Sequence, residues 1–149
     1  MSAVELRLSY RADDDGTGKI IATVRSGAFS AQGSAWFNPN GVTNTFIASL
    51  RAFPLSSTNP PMLEGGFWSS DSLTQCHLRI AVKPYNSRGT LLLQVDLASE
   101  VWGTPDADLQ NSATVRFLTE YAAIDGFAEQ IKRVLAGECA EAILKGITN

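Results

Sequence analysis

Cys76 and His77 are neighbours in the stretch SLTQCHLRIAVK (residues 72–83), and His77 is the only histidine of the chain. A thiol beside an imidazole suits two chemistries, a nucleophile with its base or a pair of metal ligands. The stretch alternates, with Cys76, Leu78, Ile80 and Val82 in one phase and His77, Arg79 and Lys83 in the other. Neighbours in a strand point to opposite faces. The spacing therefore predicts a core thiol at Cys76 and a solvent-facing imidazole at His77, not a catalytic pair.

Other candidates fail on spacing. Two cysteines and one histidine form no C-x-x-C or H-x-x-x-H ligand pair. DDDGTGK (residues 13–19) fails as a calcium loop. With Gly16 at the sixth position, the first and twelfth ligands fall on Arg11 and Ala22, which lack the carboxylate oxygens needed there. It fails as a phosphate loop too, because Ile20 follows Gly18-Lys19 and Asp13 stands where the first glycine belongs. No serine sits in a G-x-S-x-G elbow. The expectation is a chain with no catalytic residues, no metal site and no cofactor.

What remains is surface. Trp102 lies in the polar loop SEVWGTPDAD with Glu100, Asp106 and Asp108. An exposed Trp is a frequent interface anchor; a Trp folded back over the core is the alternative. Trp36 and Trp68, each beside a Phe at a strand end, are expected in the core.

The elements that position these residues follow from periodicity. Val4, Leu6, Leu8 and Tyr10 alternate with Glu5, Arg7, Ser9 and Arg11, the mark of a half-buried strand. DDDGTG is a turn, and KIIATVRS and AFSAQGSAWF continue an antiparallel meander. Val42, Phe46, Leu50 and Phe53 then form a helical stripe, capped by Asn40 or Thr43 and stopped by Pro54. Strands return in MLEGGFWSS, in residues 72–83, in TLLLQVDLA and in NSATVRFLTE. Ile124, Phe127, Ile131, Val134 and Leu135 mark a second helix ended by Gly137. ECAEAILKGI reads equally as a short helix or as a tail packed on the core. This order predicts an α+β fold, a mainly antiparallel sheet of about six strands with two helices packed on one face. Arg7, Arg11, His77, Arg79, Lys83 and Arg116, against Glu5 and Asp96, are expected to make the open sheet face mildly basic.

The 149 residues, 44% of them hydrophobic, suit a single domain over 1–149. A net charge of −3 argues against nucleic acid and anionic membranes as partners. The N-terminus lacks the basic and apolar regions of a signal peptide, and no apolar run is long enough to span a bilayer, so a cytoplasmic location is expected.

From Ala28 to Leu135 the layout resembles small bacterial immunity proteins of the wall-associated-protein immunity type, and related uncharacterised bacterial families. The resemblance is carried by AFSAQGSAWFN, the short helix VTNTFIASLRAF and the strand LEGGFWSSD. It continues through the hairpin CHLRIAVKPYNSRGTLLLQVDLA, with Gly89 in its turn, and NSATVRFLTEYAAIDGFAEQIKRVL, a strand followed by a helix. It implies a non-enzymatic antidote that binds and neutralises a cognate toxin protein. An acidic surface would suit a basic toxin cleft, and from Glu100 onward acidic residues outnumber basic ones eight to four. The resemblance thus implies Glu100, Asp106 and Asp108 as candidate partner-binding residues, with Trp102 as their anchor. Two other readings fit the same elements. One is a small-ligand-binding or enzymatic domain with a pocket between sheet and helices. The other is a homo-oligomeric regulatory or structural protein that uses the open sheet face.

Overall fold

The computed structural model describes residues 3–104 and 106–147. It is α+β, with antiparallel strands throughout, but the strands form two four-stranded sheets instead of one sheet of about six. The first meander supplies β1 (Val4–Ala12), β2 (Gly18–Ser26) and β3 (Phe29–Phe37). A late strand, β8 (Ala142–Lys145), pairs with β1 and gives the order β3-β2-β1-β8. The second sheet runs β4-β5-β6-β7 from Met62–Ser69, Ser72–Pro84, Thr90–Ala98 and Ser112–Glu120. The segment left open between helix and tail is therefore a strand.

Alternation shows which side of a strand is apolar but not which sheet the strand joins. Here β3 touches all four strands of the second sheet. It can lie this close because its inward positions are small. A Cβ on Gly33 would stand 3.1 Å from the Leu97 Cβ and 3.3 Å from the His77 carbonyl oxygen. Leu6, Leu8, Ile20, Ala22 and Val24 of one sheet and Leu78, Ile80, Leu93, Val95 and Phe117 of the other join one continuous core. The end of the chain links the two sheets: Gly146 N–H donates to the Val4 carbonyl (2.8 Å) and Ile147 N–H to the Leu118 carbonyl (2.7 Å).

Two helical segments close the core. The first is continuous from α1 (Pro39–Val42) through a π-helical turn (Thr43–Ile47) to α2 (Ala48–Leu50). Its cap is Asn38, not Asn40 or Thr43. The Asn38 side chain accepts from the Asn40 N–H (3.0 Å) and the Gly41 N–H (3.4 Å), and Pro39, which has no N–H, follows it. The π turn coincides with Thr43 and Thr45, whose hydroxyls donate to the carbonyls four residues back. The helix ends at Leu50, so Phe53 falls beyond it and is 79% exposed, with its ring edge-on to Tyr121. The second segment, α3 (Tyr121–Leu135), buries Ile124, Phe127, Ile131 and Val134 as its stripe predicts. Arg51 and Glu129 pair across the two segments at 2.7 Å. Among the described residues, no helix is long and apolar enough to cross a membrane.

The expected basic sheet face divides. Arg7 and Arg11 lie on the outer side of the first sheet, Arg79, Lys83 and Arg116 on the outer side of the second, and His77 on neither.

Candidate functional site

The loop carrying Trp102 is built on an irregularity in the β4–β5 hairpin. Pairing shifts between Gly65 and Gly66, so that Gly65 faces Leu78 and Gly66 faces Cys76. His77 is the extra residue of a β-bulge. A bulge reverses the alternation beyond it, and this inverts the expectation for the Cys-His pair. His77 is 2% exposed, Gln75 is buried with it, and Cys76 is half-buried on the outer face. Gly66 makes the bulge possible, since a Cβ there would lie 1.9 Å from the Gln75 carbonyl oxygen.

The two inward polar residues hold the loop. The Gln75 amide pairs with Val101 as a neighbouring strand would. Its oxygen accepts the Val101 N–H (2.9 Å), and its nitrogen donates to the Val101 carbonyl (3.1 Å). The same oxygen lies 2.6 Å from His77 Nε2. A carboxamide oxygen can only accept, so the imidazole carries its proton on Nε2. Burial pushes the His77 pKa down, with Glu100 acting weakly against it. A second glutamine fastens the far side, as Gln110 donates to the carbonyls of Cys76 and Ser99, both at 3.0 Å.

Above this frame three rings stack in series. Phe67 stands edge-on to His77 (centroids 4.5 Å apart) and tilted against Trp102 (4.4 Å). The Trp102 indole N–H donates to the Glu100 carboxylate at 3.1 Å. Trp102 thus rests on Phe67 yet keeps 71% of its surface exposed. It is an exposed side chain in a defined position, not one folded over the core.

The four candidate residues fall into two pairs. Glu100 and Trp102 bond to each other. The Asp106 carboxylate accepts the Asp108 N–H at 3.0 Å and caps the short 3₁₀ turn Ala107–Leu109. Among the described residues no hydrogen bond joins the two pairs, and the Asp108 carboxylate makes none. Trp36 and Trp68 are exposed, not buried. Trp36 sits on the outer side of the first sheet, under Lys19 (4.8 Å) and bonded to Asp13 (2.7 Å). Gln75, His77, Phe67 and Gln110 were not foreseen as parts of this site. The Gly65-Gly66 pair beside aromatic residues was the available signal, because adjacent glycines in a strand mark a bulge or a close backbone approach.

The nucleophile-and-base reading loses its geometry. Cys76 and His77 point to opposite sides, burial pushes the Cys76 thiol pKa up, and the Cys76 sulfur contacts the Leu78 carbonyl at 3.7 Å. No cluster of three or more His, Cys, Asp or Glu suited to a metal occurs among the described residues. DDDGTG is a hairpin turn in which the Asp15 carboxylate accepts from the Thr17 N–H (3.0 Å) and hydroxyl (2.7 Å). Those bonds hold the Asp15 pKa down. Comparison with family models, with curated proteins and with solved structures finds no match to this chain.

Proposed function

We propose that this protein is a non-enzymatic binding protein whose contact surface is the loop of residues 99–111, and that it acts as an immunity-type antidote to a cognate toxin protein. The observation that carries the reading is the preparation of Trp102. Its ring is held on Phe67 and by Glu100, and the residue before it, Val101, is latched at both backbone groups by Gln75, while most of the Trp102 surface stays open. A side chain ordered before binding loses little entropy on binding, and a large aromatic set in that way is the usual anchor of a protein interface. Glu100, bonded to it, and Asp106 and Asp108 further along the same loop supply the negative charge that a basic toxin cleft attracts. The antidote role rests on the resemblance in layout described above.

Co-expression with the product of the neighbouring coding sequence tests the role. The expected result is restored growth and a stable complex of fixed stoichiometry. Trp102→Ala should weaken that complex about 30- to 900-fold, since a central aromatic anchor carries about 2–4 kcal/mol, and should leave the melting temperature nearly unchanged. No rescue and no complex with the wild type would overturn the antidote role. A complex indifferent to Trp102 would overturn the surface.

A further inference from the structure

Among the described residues no element covers the outer face of either sheet, and these faces differ in charge. The first sheet's outer side carries Arg7, Arg11, Lys19, Arg25 and Lys145 against Glu5, Asp13 and Glu141. Two copies stacked through that side would repel. The second sheet's outer side carries Arg79, Lys83 and Arg116 and, in equal number, Glu64, Asp96 and Glu120. Across it runs an apolar strip of Met62, Ala81, Leu92 and Leu118, with Pro60 at its end. Met62 is 47% exposed and the others lie partly open. Leucines at 91, 92 and 93 in succession also fit a strand meant to be covered on both faces, because a one-sided strand alternates.

We infer that the outer face of β4–β7 is a homodimer interface, its occupant the same face of a second copy. The pairing register carries the fit. Arg79 and Asp96 are direct neighbours on β5 and β6. A two-fold axis parallel to the strands and midway between β5 and β6 sets Arg79 of each copy over Asp96 of the other. It also lays Leu92 of each copy along the aliphatic stem of Lys83 of the other. A closed two-fold pair is the commonest symmetric assembly and needs such a self-complementary patch. Four strands about 4.8 Å apart and nine residues long present roughly 19 by 30 Å, or about 550 Å² of flat area per copy. Side-chain relief raises this toward the roughly 800 Å² per partner of a stable complex. The face is separate from the Trp102 loop, and the dimer would carry two such loops.

Sedimentation equilibrium from 2 to 200 µM in moderate salt tests the inference. The wild type is expected to shift from the 16.0 kDa chain mass to twice that value across this range. Leu92→Asp should raise the dimer Kd at least 100-fold while keeping the wild-type circular dichroism spectrum. Met62→Glu, at the exposed edge strand, serves the same purpose if Leu92→Asp fails to fold. Trp102→Ala should dimerise normally. A monomeric wild type at 200 µM, or a dimer that survives both the Leu92 and Met62 substitutions, overturns the proposal and leaves the proposed function untouched.

Discussion

Replacing Gln75 by leucine keeps the side-chain volume and removes the latch on the Trp102 loop. Three hydrogen bonds go, two to Val101 and one to His77. At about 1 kcal/mol net each they amount to about 3 kcal/mol. The His77 Nε2 proton is then orphaned in a buried site, which adds about 1–3 kcal/mol. Val101 is half-buried, so its backbone groups recover water and add little. The leucine returns about 1–2 kcal/mol of apolar burial. The balance is a loss of about 2–5 kcal/mol. Urea unfolding at pH 7.5 measures the loss, and amide exchange at Val101 reads the latch directly. Protection at Val101 should collapse toward that of a free loop while the β6 amides of Leu93 and Val95 stay slow. A loss below about 1 kcal/mol, or unchanged protection at Val101, would refute the account of the loop.

Further outcomes follow from the same structure. His77 binds its proton less tightly when folded than when unfolded, because burial opposes its charge and Glu100 only partly offsets this. The unfolded chain therefore takes up more protons below about pH 6.5. This contribution to stability is full above that pH and is lost as the pH falls toward the lowered folded value. The urea midpoint should drop more between pH 7 and 5 in the wild type than in His77→Gln. Gly66→Ala forces a Cβ to within 1.9 Å of a backbone oxygen; calorimetry should show a loss of about 3–5 kcal/mol. Gly126, in the middle of α3, has open space where its Cβ would be, so Gly126→Ala should raise stability by about 0.5–1 kcal/mol in the same measurement. Cys76 should react with iodoacetamide at pH 7.5 well below the rate of a free thiol, since burial keeps it protonated. Mass spectrometry of the alkylated peptide checks this.

The elements were legible wherever one periodicity ran unbroken. Leu6 and Leu8, Ile124 through Val134 and Leu91 through Leu97 lie where their spacing places them. Sheet membership was not legible, because β1 meets β8 across almost the whole chain and no local pattern encodes that pairing. The Cys76–His77 expectation was reversed because a period of two presumes an uninterrupted ladder, and one extra residue against Gly66 breaks it. Trp36 and Trp68 came out exposed because their composition suggested core while their register set them outward. Of the loop residues, Trp102 with Glu100 could be picked out by type. The glutamines that hold the loop could not, since Gln75 gains its meaning only from its side of the strand.

The bulge at His77 makes β5 a strand written in two reading frames. From Thr74, where a second register shift falls, up to the bulge, Gln75 and His77 face inward and address the Trp102 loop; behind it, even-numbered residues face inward and address the core. The two halves can therefore vary separately, and the loop can be retuned without repacking the centre of the molecule. The exposure is to changes in length. Deleting one residue between Gln75 and Leu78 merges the frames, turns Gln75 out to solvent and releases the loop, although every remaining side chain is conserved. For this hairpin the count of residues constrains the sequence alongside the identities of Gly66 and Gln75.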